Sequence, residues 1–311
     1  MVSERLLTDP VWWSNFIYDS QLAENLQVSI SHDEEQICSI TGQNPSYTIQ
    51  IESNKQELDS ALLNCGLAEL FFNYTASKNP ASIKSATTDA NLRSWFKSNL
   101  EKKELVVDTN IILDRVFSSL ESIGQDCLNS IKVKIPRLSI LELESKTNRA
   151  KPKSVEKREC FLGYGELMYL KNKGAVPMSE LNVETLTGFS KISGEQKTDS
   201  WIRREIKDAH HRALRAQVVK NYVLMTSDLV NSFSAVAEDI DTIHVSRIND
   251  WKNKIRRPTL IQVGRLINSL GVLLQNISID INSKKFEVDG MREGKTIQDW
   301  GSEYVYHRLL N

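Results

Sequence analysis

No two cysteines of this chain form a C-x-x-C pair; its four, Cys38, Cys65, Cys127 and Cys160, lie far apart. Zinc and thioredoxin-type redox sites are thereby disfavoured, and reduced, mostly buried thiols in a cytoplasmic protein are expected. The chain also lacks an excess of charge. Its 39 basic and 40 acidic side chains leave a formal charge of −1. No molecule-wide basic field exists, so a nucleic-acid partner needs a local patch. Long apolar runs are missing as well. The most apolar stretch, 260–281, is interrupted by Gln262, Arg265, Asn268, Gln275, Asn276 and Asp280. It reads as a core helix and a strand, and no membrane association is expected. The first ten residues lack the apolar core of a signal peptide. A P-loop, a G-x-G-x-x-G run, a Ser/His/Asp arrangement with persuasive spacing, an internal repeat and a low-complexity tract are likewise not found.

What is present is a hydrophobic strand that ends in an acid, Glu104-Leu105-Val106-Val107-Asp108-Thr109-Asn110, followed by a helix-like stretch from Ile111 to Phe117. A carboxylate where a buried strand gives way to a helix sits at the carboxyl edge of a sheet, the edge at which open α/β folds keep their sites. The pattern returns at Tyr222-Val223-Leu224-Met225-Thr226-Ser227-Asp228. Two strands that deliver aspartate to one rim suggest a site for a hard divalent cation, which takes oxygen ligands.

With 311 residues the chain has room for two domains. Residues 1–98 read as a separate α+β unit. Strands are expected at 27–30 and 46–51, helical spacing over 58–72, a linker or exposed loop over 75–88, and a short helix over 91–102. Residues 102–248 alternate strand and helix, the mark of an α/β domain. The pattern predicts strands at 104–108, 131–136, 174–178, 222–226 and 241–246. Helices are expected at 110–122, 138–148, 154–173, 199–217 and 229–238, with a loop over 182–197. Residues 249–311 hold a helix over 259–275, strands near 277–281 and 284–289, and an aromatic end that reads as a strand or short helix. The N- and C-terminal strands, each too few for a core alone, are expected to pair into one smaller α+β accessory region.

Two further acids join Asp108 and Asp228. Glu142 follows a strand that ends at Pro136; its neighbour Glu144 stands two positions away on the same helix and cannot face the same site. Asp199 opens the 199–217 helix, with Asp208 as the fallback. Each aspartate has a plainer reading as a helix N-cap, which is compatible with metal binding because both place oxygen at a helix start. Clustered carboxylates repel one another, and a divalent cation relieves that repulsion while offsetting charge on a phosphodiester. His210 and His211 sit in a helix rich in Arg and Lys and read as part of a solvated basic face. Basic runs at 146–158 and 252–257 flank the acids and offer local cations for a polyanion. Trp251 and Phe161 nearby are candidates for base stacking or for burial.

The Val-Val-Asp-Thr-Asn opening, Glu142 after Pro136, the Asp-x-x-Ile-Arg at Asp199 and the Thr-Ser-Asp at Asp228 stand in the order found in PIN-domain nucleases. Residues 102–248 resemble that family; the flanks, and a long 150–197 insertion, depart from it. The resemblance implies a three-layer α/β/α domain with a parallel central sheet. It implies an endoribonuclease that uses Mg2+ or Mn2+ to direct water at the phosphodiester of single-stranded RNA. Asp108, Glu142, Asp199 and Asp228 would be the catalytic, metal-holding acids. Asn110 would steady the Asp108 loop, and Thr226 or Ser227 would help position Asp228 or a water. Arg203, Arg204, Lys252, Lys254, Arg256 and Arg257 are the candidate nucleic-acid contacts. Two alternatives stay open: a catalytically silent binding or scaffolding module, and a nuclease for single-stranded or flap DNA. A homodimer also stays open.

Overall fold

A computed structural model describes residues 6–21, 25–151, 154–178, 195–218, 220–247, 257–290 and 305–310. In chain order the elements are β1 (Leu6–Thr8), α1 (Pro10–Gln21), β2 (Leu26–His32), β3 (Glu35–Gln43), β4 (Ser46–Ile51), α2 (Gln56–Asn64), β5 (Leu70–Ala76), β6 (Asn79–Thr87), α3 (Leu92–Asn99), β7 (Lys103–Val107), α4 (Thr109–Leu113) and α5 (Val116–Ser122). A short 3-10 turn, Leu128–Ser130, leads to β8 (Lys132–Pro136), α6 (Arg137–Arg149), α7 (Val155–Asn172), β9 (Val176–Met178), α8 (Glu195–Arg215), β10 (Asn221–Thr226), α9 (Leu229–Ala237) and β11 (Asp241–Arg247). The last described elements are α10 (Leu260–Leu274), β12 (Asn276–Ile281), β13 (Lys284–Asp289) and β14 (Val305–Leu310).

Among the described residues the architecture is α/β with two seven-stranded sheets. The first has the order β1-β14-β13-β12-β2-β3-β4 and is antiparallel throughout. Strands from both ends of the chain thus share it, with β12 against β2. The second has the order β6-β5-β11-β10-β7-β8-β9. Its five strands from β11 to β9 run parallel, and the β5–β6 hairpin adds antiparallel to β11.

Side chains alternate across a strand, and β7 shows the result. Leu105 and Val107 join the large core, whereas Val106 joins a second one with Leu224, Ile202 and Ile206. The parallel sheet is buried on both faces, as such sheets must be. The large core is continuous from Trp13 of α1 and Ile30 of the antiparallel sheet to Leu105 and Val223 of the parallel one. Helix α10 lies between them, packed on α1, α2 and α7. A capping box of Thr259 and Gln262 starts it, and the Gln262 amide donates to the carbonyls of Cys65 and Gly66.

Three expectations change. The 75–88 stretch is no linker but the end of β5, the turn and β6. The helical spacing over 58–72 covers two elements: α2 ends at Asn64, Gly66 turns the chain at φ +75°, and β5 follows. With β5, β6 and α3, residues 70–99 belong to the parallel sheet and not to the unit before it. The helix expected over 110–122 is broken at Arg115, whose φ is 52°. Among the described residues no helix is long and apolar enough to cross a membrane.

Candidate active site

Strands β7 and β10 are parallel neighbours, with Val107 opposite Met225, so both end at the same edge. The Asp108 N–H donates to the Met225 carbonyl at 3.0 Å and locks that alignment. Beyond the strand ends, Asp108 caps α4 and Asp228 caps α9. Strand β8 lies on the other side of β7, and α6 leaves its end carrying Glu142. Helix α8 brings Asp199 from its first turns.

Asp108 is almost wholly buried, at 1% exposure. Its Oδ1 accepts from the Thr109 N–H at 2.6 Å, and its Oδ2 accepts from the Thr226 hydroxyl at 2.7 Å and the Asn231 amide at 3.1 Å. Burial pushes this carboxyl above the ordinary carboxylate range; the Thr226 hydrogen bond pulls the other way, and Glu142 adds to the rise. Thr226 serves two acids, for its oxygen also accepts from the Asp228 N–H at 3.0 Å. The Asp228 Oδ1 accepts from the N–H groups of Val230 and Asn231 at 2.7 and 3.0 Å. Glu142 is buried; its Oε2 accepts from the Thr109 hydroxyl at 2.6 Å, and its Oε1 lies 3.2 Å from the Lys146 ammonium.

Asp199 is half-buried, and its carboxyl is pushed up to about 7. Burial is the first cause. The negative charges of Asp108, Glu142 and Asp228 follow, and Arg203 partly offsets them. Asp199 therefore lies within electrostatic reach of the other three acids named from the sequence. Among the described residues, however, no group of three or more His, Cys, Asp or Glu side chains is drawn up tightly enough to hold a metal ion.

The donor set is nonetheless of the right chemistry. All four groups offer carboxylate oxygen, the ligand that Mg2+ and Mn2+ take. Asp208 does not belong to the set. Nine residues beyond Asp199, it stands about 13 Å further along α8 at the usual rise per residue. Glu144 is exposed, as its spacing from Glu142 requires.

The supporting residues divide. Thr226, named for Asp228, accepts from the Asp228 N–H and also donates to Asp108, a contact not foreseen. The Ser227 hydroxyl instead hydrogen-bonds Asp114. Asn110 is half-buried in α4, and the contacts on the Asp108 carboxylate come from Thr109, Thr226 and Asn231 in its place. Thr109 and Asn231 were not singled out from the sequence. A signal for Thr109 exists, since it follows the capping acid directly; none marks Asn231, whose role depends on a fold contact.

The candidate nucleic-acid contacts divide too. Arg203 is a correction: it is 9% exposed and turned inward. Its Nε donates to Glu238 at 2.9 Å and its Nη1 to the side-chain Oδ1 of Asn231 at 2.6 Å. One helical turn from Asp199 puts it on the buried face of α8. Arg204, the next residue, is exposed, with its guanidinium 5.3 Å above the Trp201 ring. Arg257 is exposed. Lys252, Lys254 and Arg256 lie outside the described residues, as do Trp251 and residues 182–194 of the expected loop. His210 and His211 lie away from the acids, whereas His244 of β11 hydrogen-bonds the Ser227 backbone and feels the charge of Asp228. His210 meets the Lys220 carbonyl, and His210 and His211 line a cleft with Lys103 and Asp241, at the amino ends of the strands.

No family model matches this chain, and no curated protein matches it. A solved structure, a domain of a functionally unknown protein from Methanocaldococcus jannaschii DSM 2661, is similar at 23% identity over 48% of this chain and 94% of that one, with a TM-score of 0.35.

Proposed function

We propose that the chain is a metal-dependent phosphodiesterase: an endoribonuclease for single-stranded RNA, with a three-layer, PIN-like domain over about residues 102–248. One observation carries the reading. Thr226 joins Asp108 to the Asp228 N–H at 2.7 and 3.0 Å, Thr109 joins Asp108 to Glu142 at 2.6 Å each, and these three acids in turn raise the Asp199 carboxyl. Four acids from four separate segments share a rim at the carboxyl edge of a parallel sheet, the edge at which such folds bind ligands. A cluster of this kind disfavours its own ionised form until a countercharge arrives.

Asp108, Glu142, Asp199 and Asp228 would hold Mg2+ or Mn2+. When bound, such a cation offsets charge on the phosphate and makes water more acidic. The protein groups orient and select. Thr226 fixes Asp108 relative to Asp228, and Thr109 does the same for Glu142. Lys146 balances one acid of the cluster. The exposed Arg204 and Arg257 supply local cations for a backbone that the near-neutral molecule would not otherwise attract. Helix α9, which Asp228 caps, exposes Phe233 at 67% and Val230 at 73%. An outward aromatic ring at that position suits the stacking of unpaired bases.

The Lys146–Glu142 ion pair favours a second reading, a catalytically silent binding module in which a lysine replaces the cation. Labelled single-stranded RNA, with single-stranded and flap DNA in parallel, separates these. The wild-type protein is expected to cut RNA with Mg2+ or Mn2+ and not with EDTA. Asp108→Asn and Asp228→Asn are expected to lose cleavage while keeping the fold. Full cleavage by both variants contradicts the assignment; preference for a DNA strand moves it to DNA. No cleavage, with no stabilisation by Mn2+, favours the silent module.

A further inference from the structure

Three links join the surface residue Glu238 to the most buried acid of the site. Glu238 accepts from the Arg203 Nε at 2.9 Å, Arg203 donates to the Asn231 Oδ1 at 2.6 Å, and the Asn231 Nδ2 donates to the Asp108 Oδ2 at 3.1 Å. The direction of this chain follows from its ends. A guanidinium only donates, and an ionised carboxylate only accepts. The Asn231 amide between them has one allowed orientation: oxygen toward Arg203, NH2 toward Asp108. Without Arg203 the amide is free to turn its oxygen onto the carboxylate, where it repels.

Asn231 is 2% exposed and touches two acids. Its side chain holds Asp108, and its backbone N–H donates to Asp228 at 3.0 Å. The hydrogen bonds on Asp108 are also unequal. Oδ2 accepts two, from Thr226 and Asn231, while Oδ1 accepts one, from Thr109. A carboxylate oxygen has about two lone-pair sites. With Oδ2 filled by the two side-chain donors, Oδ1 is the oxygen left to take a cation. Glu238 also meets Lys207 at 2.7 Å, so α8 and the end of α9 are clamped where the chain of contacts begins.

We propose that Arg203 is a positioning residue: acting through Asn231, it fixes which oxygen of Asp108 faces the site, and so sets the affinity of the site for a divalent cation. The proposal rests on the metal-site reading above. Its immediate claim, that Arg203 orients Asn231, does not need a metal.

The experiment compares the wild-type protein with Arg203→Met, Asn231→Leu and Glu238→Gln. The side-chain amide of Asn231 is followed by NMR without metal, Mn2+ affinity is measured by titration, and metal-free melting reports folding. In the wild type the Asn231 amide protons are expected to exchange slowly. In Arg203→Met they are expected to lose that protection, and Mn2+ is expected to bind about 10- to 100-fold more weakly, the usual consequence of removing a residue that orients a ligand. Asn231→Leu is expected to weaken Mn2+ to a similar extent. Glu238→Gln, a change at the surface, keeps the proposal testable if the buried variants do not fold; a smaller loss in the same direction is expected. Unchanged amide protection and unchanged Mn2+ affinity in Arg203→Met, or in Glu238→Gln if that is the variant that folds, overturn the proposal. If the wild-type protein takes up no Mn2+, the metal-site reading and the claim about cation affinity both fail. The amide arm then decides separately whether Arg203 orients Asn231.

Discussion

At the scale of single residues, Asp199 is the sensitive point. An ordinary aspartate in an unfolded chain releases its proton near pH 4. In the folded protein burial and the charges of Asp108, Glu142 and Asp228 push the Asp199 carboxyl up to about 7. Between those values the folded state binds more protons than the unfolded one, so stability falls as pH rises through the window. The raised Asp108 carboxyl adds a contribution of the same sign. The half-buried His244 and the buried His307, lowered by desolvation, act in the opposite direction, so the effect is read between proteins: relative to the wild type, metal-free Asp199→Asn is expected to gain melting temperature at pH 8 more than at pH 5.5. Melts of both proteins at the two pH values check this; an Asp199→Asn variant with the pH dependence of the wild type contradicts it. Much of this residue chemistry was legible in the sequence. An acid after an apolar strand is a local pattern, and Asp108 and Asp228 both show it. Arg203 was misread because composition reveals a basic helix and not which side chains turn inward. Asn231 gave no sign, since its partner lies 123 positions away.

At the scale of elements, the strands and helices between 103 and 247 follow the hydrophobic pattern closely, and the departures have distinct causes. The α4–α5 break is imposed from outside. The buried Glu166 of α7 accepts from the N–H groups of Phe117 and Ser118, the opening donors of α5. A helix that ran on unbroken would use those donors internally. Strand β6 was hidden for the opposite reason. From Asn79 to Ser85 every residue is exposed, because it is an edge strand held by main-chain pairing to β5. Its side chains carry no burial pattern to read. Helix packing supplies a prediction at this scale. A Cβ at Gly264 of α10 would lie 2.3 Å from the Pro10 carbonyl oxygen of α1. That neighbour is backbone and cannot rotate aside. Gly264→Ala is expected to destabilise the protein by about 1–3 kcal/mol, as overpacking does, and to leave Mn2+ affinity unchanged. Urea unfolding with a parallel Mn2+ titration measures both; an unaltered midpoint would show that α1 yields freely.

At the scale of the whole molecule, the two sheets share one apolar core, and the chain ends meet in the antiparallel sheet. That pairing is long-range and cannot be derived from local periodicity; the short alternating runs at each end only suggest it. The shared core gives the parallel sheet a rigid support, and the acid rim is built where that sheet ends. The rim carries mutual repulsion in the metal-free protein. A cation that binds there must therefore stabilise the entire fold, because a ligand of the native state shifts the unfolding equilibrium in its favour. Calorimetric melting at pH 8 with and without Mn2+, for the wild type and Asp108→Asn, tests this most directly. At a Mn2+ concentration 100 times the dissociation constant the expected gain is about 2.7 kcal/mol, seen as a higher melting temperature in the wild type and absent in the variant. A wild type that melts at the same temperature with and without Mn2+, or a variant that gains as much, would contradict the assignment of these four acids to a divalent-cation site.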